Sequence, residues 1–110
     1  MSASKQAVVQ VIYPKEARAD FNMTYYLESH MPLVQKLWGP LGLKSWTVNV
    51  LQPDNENHVQ AYLVWESLQA WEAAGAGPTQ KEIFGDIPNF TSTSPTAWVG
   101  QVEAHTVVPK

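Results

Sequence analysis

The order in which residue periodicity changes along the chain is what most limits its fold. Ala7-Val8-Val9-Gln10-Val11-Ile12-Tyr13 is a β-branched run of strand length that stops at Pro14, where a backbone donor is lost. Either Asp20 or Asn22 can then cap a helix, which is predicted to begin near residues 21–23. Met23, Tyr26, Leu27, His30, Val34 and Leu37 recur at three- and four-residue steps and define one apolar face. Pro32 interrupts this pattern, so the helix kinks there or ends near His30 and restarts; both options make the backbone beside His30 irregular. Gly39-Pro40 and Gly42 close the helical region. Residues 43–51 alternate Trp46, Val48 and Val50 with Ser45, Thr47 and Asn49, a period of two. Turn chemistry over 52–57 leads into a second strand over 58–66, so the pair reads as a hairpin. Ser67 caps a helix that stops at Gly75 or Gly77, and Pro78 opens another through about Asp86. A turn-rich stretch over 87–95 precedes a last strand predicted over 96–107.

Strand, helix, strand, strand, helix, strand is the split βαβ order. It predicts an α+β, ferredoxin-like βαββαβ fold: a four-stranded antiparallel sheet with its helices on one face. With 110 residues the chain has material for one core, so residues 1–110 are expected to form a single domain. The other sheet face is then bare. Strand three carries Tyr62 and Val64 on the side opposite Val59, Ala61, Leu63 and Trp65, so neither side reads as simply solvated. A second copy packed sheet to sheet would cover that surface, which predicts a homodimer.

The net charge is −3 and the seven basic residues are scattered, so no stripe is available to neutralise a run of phosphates. Nucleic acid is not an expected partner. No cysteine is present, which removes disulfides, thiolate nucleophiles and cysteine-based metal sites. The N-terminal residues are polar and no apolar run is long enough to span a bilayer, giving an expectation of a cytoplasmic protein without membrane contact. Asn89-Phe90-Thr91 matches a glycosylation triplet but carries no meaning in that setting.

The segment Phe21-Asn22-Met23-Thr24-Tyr25-Tyr26-Leu27-Glu28-Ser29-His30-Met31-Pro32-Leu33-Val34, followed by Trp38-Gly39-Pro40 and Gly42-Leu43, resembles the EthD family. That family is named for a protein of ethyl tert-butyl ether degradation. Asp86-Ile87-Pro88-Asn89-Phe90-Thr91 with Val99-Gly100 resembles it as well, and the likeness spans nearly the whole chain. The resemblance implies a dimeric α+β barrel with a cavity between helices and sheet in each subunit, no organic cofactor or metal, and a cavity-facing residue at His30. Asn22 departs from the motif, which more often has Asp there; both cap a helix. Related barrels host cyclases, decarboxylases, isomerases and cofactorless monooxygenases, so the fold does not select a reaction.

His30 is the prime candidate for chemistry, because a desolvated imidazole on an apolar helix face can take or give a proton. Its alternative role is to bond a carbonyl freed by the Pro32 irregularity. Tyr26, one turn earlier, can orient or polarise a substrate carbonyl; Tyr25 lies about 100° further round the helix. Tyr25, Met31, Val34, Trp38, Trp46, Trp65 and Phe90 are the candidate walls of a site for a flat guest, and five tryptophans favour an apolar one. His58 and His105 lack the spacing to form a metal set with His30. No phosphate loop, nucleophile elbow or dinucleotide fingerprint is present. The expected activity is proton transfer on a small apolar or aromatic carbonyl compound, of the cyclase, isomerase or decarboxylase type. The alternatives are a non-catalytic binding or stress protein for a small hydrophobe, and a cofactorless monooxygenase.

Overall fold

The computed structural model describes residues 5–110; the polar residues 1–4, on which the expectation of a cytoplasmic protein partly rests, lie outside the described residues. Four strands, β1 (Ala7–Pro14), β2 (Leu43–Val50), β3 (Asn57–Trp65) and β4 (Thr96–Gln101), form one sheet in the order β2-β3-β1-β4. All neighbouring pairs are antiparallel, with Val9 opposite Leu63 and Val99, and Leu63 opposite Trp46. This is the ferredoxin-like α+β arrangement that the order of elements predicts. Among the described residues, no helix is long and apolar enough to cross a membrane.

The alternation of side chains sorts each strand onto two faces. Ala7, Val9 and Tyr13 of β1 and Val59, Ala61, Leu63 and Trp65 of β3 are buried beneath the helices. Val8, Ile12, Tyr62, Val64 and Trp98 stand on the opposite face around a Gln60–Gln10 side-chain hydrogen bond of 3.0 Å, and Trp98 is 67% exposed. β4 is shorter than the predicted 96–107 and stops at Gln101, because its last paired partner, Ala7, begins β1. A single further backbone bond, from the Val102 amide to the Gln6 carbonyl, follows.

The first helical region has three consecutive parts: α1 (Met23–Tyr25), a π-turn (Tyr26–His30) and α2 (Met31–Trp38). Asn22 provides the cap, accepting the Tyr25 amide at 3.0 Å on its side-chain oxygen. The Met31 amide reaches back five residues to the Tyr26 carbonyl. Pro32 cannot donate to the preceding turn and its ring crowds it, so the widened turn absorbs a residue that a regular α-helix would reject. The helix therefore continues through Pro32, and its inward stripe becomes Tyr26, His30, Met31, Val34 and Trp38. Leu27, expected on the apolar face, is rotated outward and is 41% exposed, while Met23 and Leu37 are half-buried.

Gly42 makes the reversal into β2 at φ 122°, where a Cβ would sit 2.9 Å from the Ala70 Cβ. Ser67 caps α3 (Leu68–Ala76), accepting the Ala70 amide at 3.0 Å, and Pro78 precedes α4 (Thr79–Gly85). The Trp38 indole donates to the Thr79 hydroxyl at 3.0 Å and so fastens α2 to the start of α4. Beyond α4, Asp20 accepts the Thr91 hydroxyl and the Ser92 amide, at 2.7 and 2.9 Å, which pins this loop beside the helix entry. Asn22→Ala removes the cap from the helix that carries His30; an unfolding free energy about 1 kcal/mol lower in urea titration is the expected outcome.

Candidate functional site

Helices and sheet do not close fully on one another. A cavity of about 280 Å³ remains between them, floored by Val9, Val11, Tyr13, Ala61 and Leu63 of the sheet and walled by Tyr26, His30, Met31, Val34 and Trp38. Trp71, Ile83, Phe84 and Ile87 complete the helical side, with Pro95 and Ala97 at the β4 edge. Well-packed interiors rarely hold more than water-sized voids, and this volume approaches the range of small-molecule pockets.

His30 is the most polar residue of the wall and is only 5% exposed. Its Nδ1 lies 2.9 Å from Oδ2 of Asp86, the residue that caps the end of α4. The other Asp86 oxygen accepts the Tyr25 hydroxyl at 2.6 Å and the Asn89 side-chain amide at 2.9 Å. Partial burial pushes the Asp86 carboxyl up, but the bonds from Tyr25, Asn89 and His30 outweigh it and hold the group below the usual carboxylate range. An ionised carboxylate only accepts, so Nδ1 carries the proton of the His30–Asp86 bond. Burial lowers the His30 pKa, and the Asp86 carboxylate only partly opposes this, so the ring is neutral at pH 7. The Nε2 lone pair is then left without a protein partner among the described residues. A neutral imidazole held in one tautomer by a carboxylate behind it is the arrangement of a general base.

Aromatic packing fixes the ring. Tyr26 stacks on His30 with centroids 5.4 Å apart and planes 13° apart, and Phe90 abuts it at 4.7 Å. Four residues apart, the two rings lie one above the other along the helix. Burial raises the Tyr26 phenol well above its ordinary range, so it remains a protonated donor.

Of the residues picked out in the sequence, His30, Tyr26, Met31, Val34 and Trp38 all reach the cavity. Four others do not line it. Tyr25 turns its hydroxyl to Asp86 and braces the carboxylate. Trp46 lies on β2, the far edge strand, with its indole on Gln35 at 3.0 Å. Trp65 is fully buried behind Trp38 and Trp71, at 5.4 and 5.6 Å. Phe90 backs the Tyr26 and His30 rings from outside the wall. His30 does not bond a carbonyl freed by Pro32, because Asp86 takes its Nδ1. Asp86, Tyr13 and Ile83 were missed as site residues. Asp86 opens a segment that resembles the EthD family, yet no spacing links it to a histidine 56 residues away. His58 packs against Phe21 near Arg18 and does not line the cavity.

The comparisons agree with this architecture. An EthD-like protein of Ralstonia eutropha JMP134 is similar to the chain with a TM-score of 0.80 and 25% identity, over 94% of this chain and 96% of that one. SnoaB of Streptomyces nogalater, a cofactor-independent oxygenase, is similar at 0.60 and 18%, over 98% and 100%. A dimeric ferredoxin-like protein from an uncultured marine organism is similar at 0.63 and 15%, over 96% and 100%. No protein-family profile and no curated protein matches the sequence. The chain is thus EthD-like in its structure, as the helix and loop segments suggested.

The depressed His30 pKa sets a sign for stability. Below the ordinary imidazole value of 6.5 the unfolded chain binds a proton that the buried ring refuses. His30 therefore makes folding stability rise with pH just under that value and level off above it. Titration of the His30 Cε1–H signal by NMR is expected to give a midpoint below 6.5, and Asp86→Asn a still lower one, because desolvation then acts unopposed.

Proposed function

We propose that this chain is an enzyme that performs proton transfer on a small apolar or aromatic carbonyl compound with its own side chains and without an organic cofactor. The observation that carries this reading is a buried histidine, its Nδ1 2.9 Å from the Asp86 carboxylate, on the wall of a largely apolar cavity. His30 Nε2 acts as the base that removes a proton from carbon next to the substrate carbonyl, and the imidazolium formed is stabilised by Asp86. Asp86 is a positioning residue that sets the tautomer. Cyclisation, isomerisation and decarboxylation all use such a base, and the surrounding hydrocarbon excludes water from the intermediate.

A second reading is favoured by the likeness to the cofactor-independent oxygenase. Deprotonating an oxidisable aromatic substrate in this cavity would give a carbanion able to reduce O₂. The two readings differ in oxygen uptake with a quinol-type substrate, which only the oxygenase requires. Screening aryl ketones in D₂O by NMR is expected to reveal exchange at the carbon next to the carbonyl, slowed about 10²–10⁴-fold in His30→Gln. Equal exchange in wild type and variant would remove His30 from the base role.

We also propose that residues 1–110 act as one domain that works as a homodimer in the cytoplasm, joined through the open sheet face. Val8, Ile12, Tyr62, Val64 and Trp98 leave on that face an apolar surface that water does not favour, and a structural neighbour is described as dimeric. Light scattering is expected to give twice the chain mass of 12.3 kDa, and Trp98→Asp a shift towards the single-chain mass. A wild-type mass of one chain would refute the dimer.

A further inference from the structure

Two hydroxyls in the cavity remain unused by the chemistry above. Tyr13, at the end of β1, and Tyr26, opening the π-turn, are 1% and 2% exposed and both line the cavity. Their rings meet edge to face with centroids 6.1 Å apart. Among the described residues no hydrogen bond reaches either hydroxyl, and the sole fully enclosed side-chain polar atom without a partner is the Trp65 indole nitrogen. The two phenol oxygens are therefore not sealed in the packing, and the open space that both residues line is the cavity. A buried hydroxyl facing hydrocarbon loses the bonds it had in water, so two of them together are costly unless a cavity occupant accepts from both.

We propose that Tyr13 and Tyr26 form a paired anchor for one oxygen of the ligand, so that the cavity selects flat apolar molecules carrying a carbonyl, enolate or phenol oxygen. This deepens the proton-transfer reading and rests on the cavity being a ligand site. Burial drives both phenols far above their ordinary range, with the Tyr26 phenol adding to the effect on Tyr13, so both hold their protons and donate. Tyr26 stacks on His30, which places an oxygen bound at the pair beside the base. When His30 Nε2 takes the proton from the adjacent carbon, the C–H electron pair becomes the enolate double bond and the carbonyl electrons move onto oxygen. That oxygen is the atom the two O–H groups hold. In a β,γ-unsaturated carbonyl substrate the enolate is conjugated, so return of the proton from His30 to the γ-carbon shifts the double bond and completes an isomerisation with all atoms accounted for. Tyr13 sits on a central strand, a rigid mount for such a donor.

The test compares 2-naphthol with 2-methylnaphthalene, probes of similar shape that differ in the oxygen, by calorimetric titration. Wild type is expected to prefer 2-naphthol by about tenfold or more. Tyr13→Phe and Tyr26→Phe each reduce that ratio, and the double variant brings it towards one. Because the readout is a ratio within each protein, a general loss of affinity does not imitate the effect; if the double variant fails to fold, the single variants decide. Equal wild-type affinity for the two probes overturns the anchor while leaving the cavity reading intact. A preference that survives in the double variant but vanishes in His30→Gln also overturns it and assigns the oxygen to the base. Binding of neither probe by wild type would defeat both the anchor and the cavity on which it rests.

Discussion

An imidazole and a carboxylate can share an apolar interior only if each satisfies the other, and the contact between His30 and Asp86 is where this structure meets that condition. The bond joins the middle of the first helical region to the end of α4, so it is at once a fastening between two elements and the determinant of a tautomer. Asp86 remains ionised because it gathers three donors, one from the first helix, one from His30 and one from the loop that follows it. Removing any of them weakens the balance against burial. The geometry of the site and the packing of the helices onto the sheet are thus the same set of contacts.

The π-turn is the second constraint. Pro32 forbids a regular helix through this region, and the chain responds by widening one turn rather than by breaking. Across the widened turn Tyr26 lies flat against His30, and Leu27 points outward. An irregularity beside a functional side chain is common, because it re-aims a residue without moving the elements that support it. Here it supports a cavity whose wall is aromatic and aliphatic, with His30, Tyr13 and Tyr26 as its polar side chains.

Small residues account for the space itself. Ala61 and Ala97 lie on the helix-facing side of the sheet, where larger side chains would reach the helices and fill the gap. Phe84 and the β4 residues Ala97 and Val99 remain exposed near this edge, so the chain leaves its cavity open on the side away from β2. The remaining tryptophans divide between packing and surface. Trp65 fills the core behind Trp38, and Trp98 stands on the outer sheet face.

Short-range physics made much of this molecule legible in the sequence. The strand runs, the Asn22 and Ser67 caps, the stop at Gly77 and the irregular backbone near Pro32 depend on interactions within a turn or on period-two alternation. Those forces settle the order of elements, and with it the split βαβ topology and the inward placement of His30. The partnership of His30 with Asp86, the membership of Tyr13 in the cavity and the exclusion of Trp46, Trp65 and Phe90 were decided by tertiary structure alone. Each depends on strand register, on a one-residue change of helical phase at the π-turn, or on the docking of α4. None of these leaves a local periodic trace, because the contacting atoms lie tens of residues apart and meet only when the sheet and its helices have closed around them.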